Sequence, residues 1–341
     1  MTAAITSISY ALPEFVLTNE QLGKLYPDWD YDRLIARTGV HERRIAAENE
    51  TALDLAEDAC RNLINKRKVN PDDIDAVIFS SQTHDYPIPS NGCILHGRLG
   101  LRRNAPVFDG IGGCSGYIYG LRQAKDMIAN EQARNVLLVT ADTYSRLINN
   151  EDRATRCLFG DGAAATIIGT RDNGCRIIDI SLGVDGRYYN RFIVPAGGTR
   201  QPSGSKTKTP IKDKSGNLRT AEDIRMDGMG VLSFFNSVIP GEVNSILKKN
   251  CLRRDDIDFF VFHQASAAAL DSLQKILRIP EEKMVREMKD VGNLVAASIP
   301  VALKRAIEHG KISGNKTIVL CGFGVGLTWG TAIVHLCGDM P

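Results

Sequence analysis

Short runs of apolar, β-branched residues recur along this chain, separated by longer stretches in which apolar positions fall three and four residues apart. The strand-like runs are AVIFSS (76–81), NVLLVTA (135–141), AATIIG (164–169), FFVFH (259–263) and TIVLCG (317–322). Their apolar residues are continuous rather than alternating, which predicts strands covered on both faces. Helical patterns occupy 51–68, 115–130, 231–250 and 297–310, most of them with the spacing of a single buried stripe. Strands alternating with helices in this way predict an α/β fold.

The second half of the chain repeats the first. NPDDIDAVIFSSQT (70–83) resembles RRDDIDFFVFHQAS (253–266): an amphipathic helix precedes D-D-I-D, an apolar strand follows, and a glutamine comes just after it. RNVLLVTAD then matches NKTIVLCGF, and GDGAAATII lies over TWGTAIVHL. Internal similarity of this order predicts two copies of one α/β unit, joined near residues 170–176, where TRDNGC supplies turn residues. The expected halves are 1–172 and 173–341. Residues 186–226 fall outside the pattern. They are rich in Gly, Pro, Ser, Thr and Lys and have no apolar period, which predicts a long loop that either covers a site or ranges over the surface.

Composition narrows the function classes. With 341 residues, 43% hydrophobic and 24% charged, the chain can bury a substantial core. A net charge of +2 offers no reason for a nucleic-acid or membrane-surface partner. No stretch reaches the roughly 18 apolar residues of a membrane span, and the N-terminus has no basic segment followed by an apolar core, so the expected location is the cytoplasm. The eight cysteines (60, 93, 114, 157, 175, 251, 321 and 337) form no C-x-x-C pair and no zinc-like spacing with histidine. Neither a metal nor a disulfide framework is indicated.

Cys114 stands apart from the other seven. In APVFDGIGGCSGYIYGL it lies between a predicted strand at 105–109 and a helix beginning at or just after it, flanked by Gly112, Gly113 and Gly116. Unsatisfied N–H groups and the positive end of the helix dipole favour a thiolate there, so Cys114 is the candidate nucleophile. The alternative is a small residue filling tight strand–helix packing. A dinucleotide-binding G-x-G-x-x-G begun at Gly110 would place its third glycine at 115, which is serine. GFGVGLTWG (322–330) leads into a strand rather than a helix and so lacks the phosphate site of that motif. Two polar residues complete the candidate chemistry. His263 closes the strand FFVF, and Asn293 sits in GNLVAASIP, just before a helical run. Taken singly, each has an ordinary structural reading, as a hydrogen-bonded histidine and a helix cap.

In this order, GGCSGY, FGDGAAA, FVFHQAS, GNLVAASIP and GFGVGLTWG, preceded by RTGVHERRIA (37–46), closely resemble the initiating ketosynthases of the thiolase fold, beta-ketoacyl-ACP synthase III. The resemblance implies a duplicated α/β fold with five αβαβα layers and Cys114, His263 and Asn293 as the catalytic residues. It implies an oxyanion hole from the backbone N–H groups of Cys114 and Val325, and no cofactor beyond coenzyme A or phosphopantetheine thioesters as substrates. An acyl group would load onto Cys114 from acyl-CoA or an acyl carrier protein. A malonyl thioester would then decarboxylate, and its carbanion would attack the acyl-enzyme. A homodimer is also implied, with NVLLVTA extending the sheet across a two-fold axis.

Three positions depart from the family pattern. The tryptophan that usually precedes the Arg37 position by four residues is Arg33, the asparagine that usually follows HQA is Ser266, and a basic residue two further on is Ala268. A phenylalanine that in acetyl-selective relatives precedes P-S is Ile88. Arg37, Ile88 and Ser266 are thus the expected substrate-contacting positions. The departures point to a specialised fatty-acid, polyketide-like or surface-saccharide pathway and a primer longer than acetyl. Two alternatives differ in class: an acyltransferase that passes the acyl group to a hydroxyl or amine without decarboxylation, and a non-catalytic subunit of a heterodimer.

Overall fold

The computed structural model describes residues 2–67, 69–110, 112–170, 174–214 and 216–338. The expected junction between halves, and the boundary between residues 172 and 173, touch residues 171–173 and lie outside the described residues. Nine strands form the central sheet: β1 (Ala4–Ala11), β2 (Ala76–Ser80), β3 (Val107–Gly110), β4 (Asn135–Asp142), β5 (Gly162–Gly169), β6 (Gly174–Val184), β7 (Phe259–Phe262), β8 (Lys316–Gly324) and β9 (Thr328–Cys337). Their spatial order is β7-β8-β9-β6-β1-β5-β4-β2-β3.

The same sequence of pairings runs outward from the centre in both directions. On one side β1 pairs with β5 and β5 with β4, both antiparallel, and β4 with β2 in parallel. On the other, β6 pairs with β9 and β9 with β8, both antiparallel, and β8 with β7 in parallel. The two runs meet at β1 and β6 through only two residue pairs, Ala4–Arg176 and Ile5–Cys175. Only the first run has a further edge strand, β3, parallel to β2.

Side-chain alternation along the strands creates five layers. Val77, Phe79, Leu137 and Val139 face helix α1 (Ala52–Arg67), where Leu53, Ala56 and Leu63 are buried. Their neighbours Ile78, Val136 and Leu138 point the other way, toward Ile118, Leu121 and Ile128 of helix α2 (Gly116–Ala129). That same middle layer receives Val261, Ile318, Leu320 and Val334 from the other run of strands. The outer face of that run, with Phe260, Phe262 and Val319, packs on helices α3 (Gly228–Lys249) and α4 (Ala267–Leu277). A last helix, α5 (Ser298–Glu308), adds Ile299 and Leu303 to the middle layer beside α2. Strands buried on both faces explain the continuous apolar runs of the sequence.

Two expectations need correction. NVLLVTA is β4, flanked by β5 and β2, so its hydrogen-bonding edges are both used and it cannot extend the sheet into a second copy. The free edge on that side is β3, beyond β2, and it ends in Asp109 and Gly110. The segment 186–226 is also more than a bare loop. Phe192–Ile193 pairs with Arg225–Met226 and Ile211–Lys212 with Leu218–Arg219. Arg219 is pinned by the buried carboxylate of Asp152, with Nε at 2.5 Å and Nη2 at 2.9 Å. Among the described residues, no helix is long and apolar enough to cross a membrane.

Packing of α2 on β4 gives a prediction of sign. An alanine in place of a helical glycine ordinarily stabilises by about 1 kcal/mol. A β-carbon on Gly120 would stand 2.3 Å from Leu138 Cδ1, so Gly120→Ala is expected to destabilise instead, by roughly 1–3 kcal/mol. A urea titration of the two proteins measures it, and a stabilised variant would contradict the packing described.

Candidate active site

Cys114 sits in the turn between β3 and α2, with 2% of its surface exposed. The helix starts two residues later, at Gly116, with Ser115 as its cap; the Ser115 hydroxyl bonds to Thr328 Oγ1 at 2.7 Å rather than capping a backbone N–H. Against the cysteine lies the end of β8. A β-carbon on Gly324 would fall 2.7 Å from Cys114 Sγ, so only glycine lets that strand pass the thiol. This gives the alternating glycines of GFGVG a steric purpose. The backbone N–H groups of Cys114 and Val325 both favour negative charge on the sulfur.

Burial dominates the electrostatics of the thiol. Desolvation and the nearby Asp142 push its pKa up to about 12, against the downward pull of those two N–H groups. The expectation of a thiolate favoured by the helix start is therefore not met. A desolvation penalty of several pKa units outweighs the partial charge of a helix end. Cys114 therefore rests as a thiol.

His263 and Asn293 come from the opposite run of strands. His263 follows β7, held by its own N–H on Cys321 O at 2.7 Å, and its ring stands edge-on to Phe323 at 5.6 Å between centroids. Burial alone lowers its pKa to about 3, so the imidazole is neutral. Asn293 Nδ2 lies 3.5 Å from His263 Nε2 and donates to Ala265 O at 3.3 Å. The orientation of its amide is fixed from behind, because Val295 N–H donates to Asn293 Oδ1 at 2.9 Å. The carboxamide oxygen is thus occupied, and its NH₂ is turned toward the imidazole. Phe323 belongs to the same apolar cluster as Cys114, so the strand end that walls the thiol also backs the histidine. All three groups are buried: Cys114 and His263 are 2% exposed and Asn293 3%.

The remaining sequence candidates are placed unevenly. Arg37 is exposed on the helix Tyr31–Thr38, one turn after the exposed Arg33. The helix ends at Gly39, whose left-handed φ of 72° brings it against Ala267, at the start of α4. Ser266, the residue before, is therefore a neighbour of the Arg37 helix, but its side chain caps α4 by accepting from Ala269 N–H at 3.2 Å. Ile88 is 86% exposed, on the loop between β2 and the helix Asn91–Arg98.

Sequence reading missed a buried polar group beside the nucleophile. Asp142 accepts from Gln82 N–H at 2.7 Å, and its pKa is pushed up to about 8 by burial, so it is protonated at neutral pH. Tyr144 O–H donates to Gln82 Oε1, and a β-carbon on Gly113 would stand 2.9 Å from that oxygen. The glutamine after each repeated strand was the visible signal. Its partners Asp142 and Tyr144 carry none in the sequence. Among the described residues, no group of three or more metal-ligating side chains is present.

Family models of 3-oxoacyl-[acyl-carrier-protein (ACP)] synthase III match residues 108–186, and those of its C-terminal part match 247–336. The chain is 35% identical over 334 residues to a beta-ketoacyl-[acyl-carrier-protein] synthase III of Caldanaerobacter subterraneus subsp. tengcongensis, covering 98% of each. It is 37% identical over 332 residues to one of Clostridioides difficile, covering 97% of this chain and 98% of the other. A crystal structure of a 3-oxoacyl-(acyl-carrier-protein) synthase III superposes with a TM-score of 0.95 at 41% identity, over 98% of this chain and 99% of that one. The thiol between β3 and α2, the imidazole and carboxamide facing it from the other strands, and full-length similarity at this level together make the chain a member of the beta-ketoacyl-ACP synthase III family, condensing acyltransferases of the thiolase superfamily.

Proposed function

We propose that the protein joins an acyl group carried on Cys114 to a malonyl thioester by decarboxylative Claisen condensation. The observation that carries this reading is the convergence of two donor pairs. The N–H groups of Cys114 and Val325 favour negative charge at the sulfur, and His263 and Asn293 stand side by side in the other run of strands. In the first half-reaction Cys114 Sγ adds to the acyl thioester carbonyl, the oxyanion is received by the two backbone N–H groups, and the thiol proton leaves with the departing thiol. In the second, the malonyl carboxylate leaves as carbon dioxide and its electron pair becomes an enolate, whose oxygen is held by His263 Nε2–H and Asn293 Nδ2–H. The enolate carbon then attacks the acyl-enzyme and expels Cys114. A neutral imidazole suits this role, since it donates a hydrogen bond without giving up its proton.

We read residues 1–172 and 173–341 as copies of one unit, a division supported by the recurring order of strand pairings. A homodimer fits the free edge of β3, where Phe108 is 41% exposed. It also fits Ile88, whose exposure suits insertion into a partner's acyl pocket. Eight unpaired cysteines are consistent with a reducing cytoplasm. The acyl and malonyl groups arrive on coenzyme A or on a carrier protein. A carrier is supported by residues 186–226, which hold nine lysines and arginines against three acids, while the rest of the chain has 33 basic and 37 acidic residues. A primer longer than acetyl is supported by Ile88, which is shorter than the phenylalanine of acetyl-selective relatives, and a specialised pathway by Arg33, Ser266 and Ala268, which depart from the family pattern.

Three tests follow. Cys114→Ala is expected to abolish acyl loading seen by intact mass. His263→Ala and Asn293→Ala should still load, but lose condensation on the order of 100-fold or more; covalent acylation of the Cys114 variant, or wild-type carbon dioxide release by the other two, would refute the assignment.

The pH dependence of stability has a definite sign. The folded pKa of His263 is about 3, below the ordinary value near 6.5 of an unfolded chain. As pH falls below 6.5 the unfolded state binds a proton that the folded site refuses. The histidine's contribution is therefore intact above pH 6.5 and lost progressively toward about 3. Urea titrations should show the wild type losing about 2 kcal/mol relative to His263→Ala between pH 7 and 5. A constant difference would mean that the imidazole is solvated.

Primer choice rests on Ile88. Burial of a methylene contributes roughly 0.8 kcal/mol, so room for two more carbons shifts preference about tenfold. Competitive loading with acetyl-, butyryl- and octanoyl-CoA should favour the longer donors in the wild type and acetyl in Ile88→Phe. An unchanged order, or acetyl preference in the wild type, rules the idea out.

A further inference from the structure

Arg43 is fully buried, in the short strand Glu42–Arg44, and forms no salt bridge with any described acid. Its guanidinium is held by uncharged oxygens: Nη1 donates to Leu17 O at 3.0 Å, and Nη2 to Asn19 Oδ1 at 2.6 Å and Cys157 O at 2.9 Å. Nε has no partner. A charge removed from water without a counter-charge is destabilising by several kcal/mol, so packing alone is a poor reason for an arginine here. A leucine or methionine would fill the space at less cost.

What the side chain touches suggests another reason. The carbonyl it holds belongs to Cys157, one residue before the segment that fixes Asn293. Asn293 N–H donates to Leu158 O at 2.9 Å, and Gly160 N–H donates to Asn293 O at 3.1 Å. On the other side, β-carbons at Gly160 and Gly292 would lie 3.4 and 3.1 Å from Arg43 Cβ. The arginine stem therefore fills the angle between the two backbones, and its head grips the start of one of them. Asn293 belongs to the residues after β7, whereas Cys157–Gly160 lead into β5 in the half that carries Cys114.

We propose that Arg43 is a positioning residue: through the Cys157–Gly160 segment it holds Asn293 at the distance from His263 that the condensation step requires. The proposal rests on the reading of Asn293 as an enolate donor. Arg43 touches no reacting atom. A donor displaced by about 1 Å can cost on the order of 100-fold in rate, so loss of the brace should appear in the malonyl half-reaction and not in acyl loading.

The test uses Arg43→Met and Arg43→Lys, each alone and combined with Asn293→Ala, in the full-length enzyme. Acyl loading is followed by intact mass and condensation by carbon dioxide release. For Arg43→Met we expect kcat for condensation to fall roughly 10- to 100-fold, with the malonyl KM and the loading rate unchanged. Arg43→Lys, which keeps the charge but not the fork, should recover part of the loss; it also carries the test should the methionine variant fail to fold. In the Asn293→Ala background either change should add almost nothing, because residues acting through one group are not additive. Equal losses in both half-reactions, or the full loss again without Asn293, would make Arg43 merely structural and overturn the proposal. A wild type that releases no carbon dioxide would instead overturn the functional reading on which it stands.

Discussion

The site depends on a pairing of two short backbone segments. Phe159 and Asn293 form a parallel bridge, with hydrogen bonds from Asn293 N–H to Leu158 O and from Gly160 N–H to Asn293 O. These bonds tie the residues after β7 to those before β5, and so set one half of the chemistry against the other. The middle layer of α2 and α5 holds the two sets of strands together by apolar burial, which is strong but not directional. Directional bonds are needed to place a carboxamide within reach of an imidazole. With its backbone fixed on both sides and its oxygen engaged by Val295 N–H, the Asn293 side chain has one way left to point.

Dryness then sets every protonation state in the same direction. It raises the Cys114 thiol, lowers the His263 imidazole and keeps Asp142 protonated. Each group avoids charge because burial leaves a charge poorly solvated. The resting site is neutral but full of oriented dipoles. Negative charge appears only as an oxyanion or enolate forms, and the donors that meet it are already in place. Such preorganised donors act most strongly where the local dielectric is low. The helix start at Gly116 thus gives the cysteine its location rather than its ionisation.

How far the sequence could be read depended on whether burial was written in apolar residues. The strands β2, β4, β7 and β8 are built on runs of Val, Ile, Leu and Phe, and β5 on Ala and Ile, and all could be read directly. The central pair, β1 and β6, escaped because AITSISYA and GCRIIDISLGV interleave Ser, Thr, Arg and Asp with the apolar residues. Ser7 is nonetheless buried at the heart of the sheet. NVLLVTA was misread as an edge strand for a related reason. NVLLVTA is so apolar because it is internal, whereas a free edge is protected by polar residues such as Asp109 in β3. Cys114, His263, Asn293 and Val325 were legible because each sits in a compact motif. Arg43 and Asp142 were not, since a buried charge and a buried acid look in a sequence like any surface residue.

The duplicated pattern explains why the reacting groups meet at all. Cys114 stands just before α2 and Asn293 just before the turn Val295–Ala297 that opens into α5, the two helices that share the middle layer. Their starts are in contact: a β-carbon on Gly116 would lie 3.6 Å from Ala296 Cβ. Packing the two helices together brings the turns that precede them to one point. Each turn is irregular backbone whose polar groups need partners, and each finds them in a neighbouring segment: Gly112 O accepts from Ser80 Oγ, and Asn293 N–H and O bond Leu158 and Gly160. On the proposed reading, one turn keeps a thiol at that point and the other a carboxamide with the imidazole of His263 beside it. The nucleophile that would carry the acyl chain and the donors that would hold the malonyl oxygen then come from different runs of strands.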